Sequence, residues 1–382
     1  MTRLRPAFWR LDAAVAHLNH GSFGAVPLPV LKAQARAALR VERSPERWYR
    51  VELAPSLAAV RAEVAAFLGA ETGGLALVEN ATAGVAVVLD AVAPGPGRDV
   101  VLTDHAYPWV RAAVERACTR GGAVVRTVPV PLDDHGTVDG GALAQALQLV
   151  TRSGTALVVL DQITSGSALR MPLDTLLTSV GGAAPVLVDG AHAPGLIERP
   201  VPVGAAFWVG NLHKWAFAAR TAAALVVAPA YRDRVRPSIE SARAADGFPS
   251  AFDYLGTQDP SALLALPEAL AFPNAYLGMS FADLRERNRD VLAEGLARAS
   301  RHLPLAVGPD QGLPMRMVSW GREGDDAEAA RWTARLRDAG VEVAVVARAG
   351  RLHARVSVQA YVGADDVERL GRALAELEAD GR

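Results

Sequence analysis

The chain of 382 residues contains one cysteine, Cys118. One thiol supports neither an internal disulfide framework nor a cysteine-rich metal site. Lysine is nearly absent: among 40 basic residues only Lys32 and Lys214 are lysine, which leaves 38 arginines. No uninterrupted apolar run reaches the ~18–20 residues that cross a bilayer as a helix. Neither sign of charge dominates, because 41 acidic residues offset the 40 basic ones to a formal charge of −1. The basic excess or stripe typical of nucleic-acid binders is missing. The first residues show no secretory core or cleavage pattern. The expectation is a cytoplasmic protein acting on a small molecule, with neither nucleic acid nor membrane as partner.

What is present is apolar material, 51% of the residues, enough for a large core and against wholesale disorder. Through the first two thirds, short apolar runs alternate with helical patterns. LALVE precedes TAGVAVVLDAV, DVVLTD precedes PWVRAAVERACTR, and ALVVLDQ precedes MPLDTLLTSV; PVLVDGAH and AAFWVGN continue the series. Strands that are continuously apolar suit a parallel sheet covered by helices on both faces. In such sheets ligand residues gather beyond the carboxyl ends of the strands. A Pro-, Arg- and Gly-rich stretch at 228–259 breaks the pattern, and long loops of this kind border sites or interfaces. A long helix and a smaller mixed unit follow. The expected division is an N-terminal segment, 1–19, contributing to a small domain; a large doubly wound α/β domain over 20–259; and a small α+β domain over 260–382.

The scarcity of lysine directs attention to the two that exist. Arginine keeps its proton at ordinary pH, whereas a lysine amine can be neutral and nucleophilic. Lys32 lies in PVLKAQARAALRVER, an exposed helical face where its presence needs no chemistry. Lys214 lies in VGNLHKW, about 25 residues after Asp189, which ends the apolar run of VLVDGAHAPG. Asp189 reads equally well as the cap of a following helix or as a carboxylate that pairs with a cationic ligand atom in a dry pocket. A third element, VENATAGVAVVL, opens a helix directly after a strand at Thr82, Ala83 and Gly84 and so offers backbone N–H groups to a phosphate. Amine, carboxylate and phosphate cradle together are what pyridoxal phosphate needs.

The motifs LNHGSFGAVP (18–27), ENATAGV (79–85), DHAYPWVR (104–111), LDQITSGSAL (160–169), VDGAHAPG (188–195), GNLHKW (210–215), YLGTQD (254–259) and RVSVQAY (355–361) occur in that order. With them the chain resembles the class V aminotransferase-like branch of fold-type I pyridoxal phosphate enzymes. Within it the resemblance is to the isopenicillin N epimerase-like group, which also contains cysteine-conjugate and sulfoxide C–S lyases. The resemblance implies that Lys214 carries the cofactor covalently, Asp189 pairs with its pyridine nitrogen, and His192 lies beside its ring hydroxyl. It implies that Thr82, Ala83, Asn211 and His213 bind the phosphate, joined by Thr257 from the neighbouring subunit of a homodimer. His105 or Tyr107 would face the ring or substrate, Arg355 would grip the substrate carboxylate, and Asn19, His20 and Phe23 would line the pocket entrance. Three positions depart from relatives: Gln162 stands where histidine is frequent, Val362 where asparagine is, and Asn211 where some branches have serine.

The implied chemistry starts with removal of the substrate's α-proton by Lys214. Expulsion of a β-sulfur group then gives elimination, return of a proton to the other face gives epimerisation, and loss of carboxylate gives decarboxylation. A cysteine desulfurase needs a mobile thiolate in its C-terminal third, and no cysteine follows Cys118. The expected function is a C–S lyase acting on an S-substituted cysteine, in natural-product biosynthesis, with an epimerase as the alternative. A non-catalytic binding protein on the same fold is opposed by the intact Lys214, Asp189 and Arg355. Cys118 itself reads as a small core residue.

Overall fold

The computed structural model describes residues 2–4 and 6–380. Two compact units emerge. The larger comprises Pro29–Ser165 and Leu169–Ala271; the smaller comprises the chain up to Leu28, Gly166–Ala168, and everything from Phe272 onward. The sequence places the final division after 259, whereas here residues 260–271 cluster with the larger unit. Ser261, Ala262, Leu266 and Ala269 are all buried, so this stretch completes a core instead of opening a new one.

The larger unit is built on a seven-stranded sheet: β1 (Leu75–Val78), β2 (Asp99–Thr103), β3 (Val124–Val128), β4 (Thr155–Asp161), β5 (Val186–Asp189), β6 (Phe207–Asn211) and β7 (Ala223–Val227). Their spatial order is β1-β7-β6-β5-β4-β2-β3, and only β7 runs against its neighbours. Every residue of β2, β4, β5 and β6 is buried, which accounts for their uninterrupted apolar character. The longer helices of this unit are α1 (Leu28–Glu42), α2 (Leu53–Leu68), α3 (Ala81–Val92), α4 (Pro108–Gly121), α5 (Gly140–Val150) and α6 (Leu173–Val180). Val85 and Val88 of α3 and Val110, Val114 and Cys118 of α4 join Val100, Leu102, Leu157, Val159 and Val209 in one core cluster. Cys118 is thus a packing residue, and burial pushes its thiol pKa up, away from reactivity.

The smaller unit holds α7 (Phe281–Ala299), α8 (Asp326–Asp338) and α9 (Ala364–Asp380) with an antiparallel sheet. Its strands are β8 (Ala306–Val307), β9 (Met315–Glu323), β10 (Ala344–Arg348) and β11 (Arg351–Ser357), in the order β10-β11-β9-β8. A capping box of Ser280 and Asp283 starts α7. The N-terminal segment belongs to this unit: Ala16–His17 pairs with Val341–Glu342, and Asn19 bridges to Ser357. No described helix is long and apolar enough to cross a membrane.

Candidate active site

One set of buried polar groups in the larger unit, His105, Asp161, Gln162, Asp189, His192 and Asn211, lies at or just beyond the ends of β2, β4, β5 and β6. Asp189 is the last residue of β5 and is buried. No helix follows it; the chain turns, and Asp189 Oδ1 accepts the Ala191 N–H at 2.9 Å. The helix-cap reading therefore fails. Burial pushes the Asp189 carboxyl up, opposed by the Ala191 N–H and by Lys214 when that amine is protonated.

Lys214 follows β6 and is half-buried. Its Nζ lies 3.2 Å from His192 Nε2, and the Trp215 indole N–H is directed at His192 Nδ1 at 3.3 Å. With Nδ1 accepting, a neutral His192 bears its proton on Nε2 and aims it at the amine. Phe217 and Thr221, just beyond, have positive φ (62° and 67°). Non-glycine residues in that region carry strain that a supporting structure must hold. Lys32, by contrast, is exposed on α1.

Beneath this corner lies Trp208. A Cβ added at Gly190 would stand 2.4 Å from Trp208 Nε1, and one at Gly210 would stand 2.2 Å from its Cη2. Only glycine lets the two chains lie against the ring. Gln162 braces the same ring, accepting the Trp208 indole N–H at 2.9 Å and donating Nε2–H to the Pro200 carbonyl at 2.7 Å. This departure from relatives is thus a structural brace.

The start of α3 sits against the end of β6. Asn80 caps the helix through Oδ1 with the Ala83 N–H, and Asn211 Oδ1 accepts the Ala81 N–H, both at 2.8 Å. Thr82, Ala83 and Asn211 are therefore brought together, with Thr82 exposed on the opening turn. The expectation that Ala83 offers its N–H meets competition from Asn80. His213 donates Nδ1–H to the Ala222 carbonyl at 3.1 Å, and burial lowers its pKa to about 4. A neutral ring in this tautomer presents a lone pair on Nε2, the wrong polarity for a phosphate oxygen.

His105 and Tyr107 occupy the turn from β2 into α4, His105 buried and Tyr107 the N-terminal flanking residue of the helix. Thr257 is exposed in the 228–259 stretch, with its hydroxyl 3.4 Å from the Tyr254 hydroxyl. In the smaller unit, Arg355 on β11 is buried, and its Nη2 donates to Asn19 Oδ1 at 3.0 Å and Ser22 Oγ at 2.5 Å. His20 Nδ1 meets the Tyr361 hydroxyl at 2.8 Å, and burial drives that phenol's pKa up. LNHGSFG and RVSVQAY are therefore one packed cluster despite their separation in the chain; Phe23 is 79% exposed at its edge. Three contributors escaped the sequence reading: Asn80, Trp208 and Asp161. Asp161 ends the apolar run ALVVLD just as Asp189 ends VLVD, and that parallel was the available signal.

No protein-family model matches the chain. It is 30% identical over 421 residues to putative L-cysteine desulfhydrase 1 of Oryza sativa subsp. japonica, covering 99% of this chain and 86% of the relative. The chain belongs to the L-cysteine desulfhydrase and isopenicillin N epimerase-like group of class V aminotransferase-like enzymes. Isopenicillin N epimerase of Amycolatopsis lactamdurans, a second relative, is 29% identical over 393 residues, covering 96% of each chain. Among solved structures, a cystine C–S lyase in complex with its product cysteine persulfide superposes with a TM-score of 0.79 at 18% identity, over 95% of this chain and 98% of the other. The cysteine desulfurase CsdA of Escherichia coli gives 0.78 at 17%, over 98% of each. The fold is that of the group, fold type I.

Proposed function

We propose that this chain is a pyridoxal phosphate-dependent lyase that cleaves the C–S bond of cysteine or an S-substituted cysteine, releasing a thiol, pyruvate and ammonia. The observation that carries this is the Lys214–His192 contact beside the buried Asp189, in a chain similar to L-cysteine desulfhydrases. The donor set fits the cofactor: an amine held by an imidazole, a dry carboxylate, and a helix start after a strand. When bound, pyridoxal phosphate supplies an electron sink for the pair left at the substrate α-carbon.

The chain's own residues do the rest. Asp189, when ionised, would hold a proton on the pyridine nitrogen. The hydrogen bond from His192 Nε2 favours the unprotonated Lys214 amine, which takes the α-proton. His192 would also lie beside the ring hydroxyl. Thr82 and the Asn211 amide donate to the phosphate, and Ala83 does so to the extent that Asn80 releases its N–H. His213 joins them only after gaining a proton. Arg355 takes the substrate carboxylate in a fork whose other face is ordered by Asn19 and Ser22. His105 or Tyr107 would face the ring, and Tyr107 would supply the proton to the departing sulfur. His20 and Phe23 border the entrance.

The reaction run in deuterated water separates the two outcomes. Pyruvate formed in step with thiol supports the lyase. Recovered, inverted, α-deuterated substrate without pyruvate establishes the epimerase that the second group of relatives represents. We further read the enzyme as a cytoplasmic homodimer, active in natural-product biosynthesis, in which Thr257 completes the partner's phosphate site. The exposure of Thr257 leaves its hydroxyl accessible to a second copy of the chain. Mixing inactive Lys214→Ala chains with Thr257→Ala chains should restore activity above either alone, since one pocket of the mixed dimer carries neither lesion; no recovery would contradict sharing.

A further inference from the structure

We propose that Asp161 is a positioning residue: a neutral carboxyl group that tethers the Tyr107 main chain to the end of β4 and leaves Asp189 as the negatively charged member of this buried pair. Asp161 and Asp189 are direct register partners at the ends of adjacent parallel strands. Strand spacing sets them about 5 Å apart at the backbone, and register partners project to the same face. Both are buried, at 3% and 5% exposure. Two carboxylates so placed in a dry environment do not both ionise.

The surroundings decide which one keeps the proton. Asp189 receives the Ala191 N–H, and the Lys214 amine acts on it. Asp161 receives main-chain N–H groups, its own and that of Tyr107, and the charged groups facing it are Asp189 from β5 and Arg111 from α4. Arg111 is otherwise engaged: it donates Nη2–H to the Thr103 carbonyl at 2.8 Å and Nη1–H to Thr127 Oγ1 at 3.1 Å. Burial first, then the charge on Asp189, pushes the Asp161 carboxyl well above the ordinary range. The proton belongs to Asp161. The tether fixes the turn that carries His105 and Tyr107 to the strand beside Asp189, and a second negative charge is kept out of the site. The functional consequence rests on the proposed role of Asp189; the tests read Asp161 itself, so the two readings can fail separately.

A carboxyl whose native pKa is raised contributes its stability fully below its unfolded pKa, and that contribution is lost as pH rises toward the native value. Asp161→Asn removes this dependence while keeping a carbonyl for Tyr107. The ratio of folding constants, Asp161→Asn over parent, should therefore rise with pH above about 4, approaching tenfold per unit. A ratio that is flat or falls would overturn the proposal. Should the variant fail to fold, carbon-13 NMR of aspartate-labelled parent enzyme decides instead. One carboxyl resonance should stay in its protonated position at neutral pH, and a spectrum in which all are ionised would overturn the proposal. Asp161→Ala should speed hydrogen exchange at the Tyr107 amide by about tenfold, the scale of one lost hydrogen bond, and unchanged protection would remove the tether.

Discussion

The two ends of the large sheet bury the same acid to opposite effect. At the amino end, Asp99 starts β2 with no exposed surface. It accepts the Thr155 hydroxyl at 2.7 Å, Arg126 Nε at 2.7 Å and Arg152 Nε at 2.9 Å. Burial acts to raise its carboxyl, yet those three donors prevail and hold it below the usual carboxylate range. At the carboxyl end, Asp189 and Asp161 are about as buried, meet fewer donors, and are raised. A fully solvated-by-protein carboxylate at one end locks β2, β3 and β4 together. Under-compensated carboxyls at the other end retain the capacity to act on something else. Burial alone does not mark a functional acid; burial without enough donors does.

The largest effect expected from breaking this contrast is on catalysis. Asp189→Asn should lower kcat/KM by roughly 10²–10³-fold, the scale of losing one preorganised electrostatic partner, with thermal stability unchanged or raised. Asp99→Asn should do the reverse. Steady-state assays should find its kcat/KM intact, while denaturant melts find it less stable at neutral pH by about 1–3 kcal/mol, the cost of donors left without their acceptor. The pH dependence carries a sign. A carboxyl lowered in the fold adds stability above its unfolded value near ~4 and loses it as pH falls. Asp99→Asn should therefore close on the parent as melts are taken to acid, whereas Asp161→Asn separates from it toward alkali. The smallest effect is at Cys118, in the core between these ends. Cys118→Ala should cost at most ~1–2 kcal/mol in the same melts and leave turnover per folded molecule unchanged; loss of turnover in a folded variant would contradict a packing role.

Much of this was legible in the sequence because strand interiors and strand ends obey different rules. β1, β2, β4, β5 and β6 announce themselves as apolar runs, and β4 and β5 carry an acid as their last residue. β3 did not: as an edge strand it leaves Val124, Arg126 and Thr127 exposed, so no continuous run exists. β7 is short and alanine-rich and follows soon after GNLHKW, so its apolar run is weak. Lys214 itself was found by scarcity, a signal available only where arginine has taken nearly every other basic position. Asp161 does not stand out in the sequence, because its partner is set by strand register, which a linear sequence does not display. The brace of Gln162 on Trp208 is likewise a tertiary fact; in the sequence it is only a departure from histidine. The cap of Asn80 on the Ala83 N–H is also a matter of side-chain geometry that the linear sequence does not display.

Everything proposed for this site depends on Lys214 being the amine that carries the cofactor. Reduction of the purified enzyme with borohydride, digestion and mass mapping of the fixed cofactor tests it most directly. The account predicts a phosphopyridoxyl group on the peptide containing Lys214 and none on the peptide containing Lys32. A label on Lys32, or no label on any lysine of an enzyme that eliminates sulfur, would contradict it.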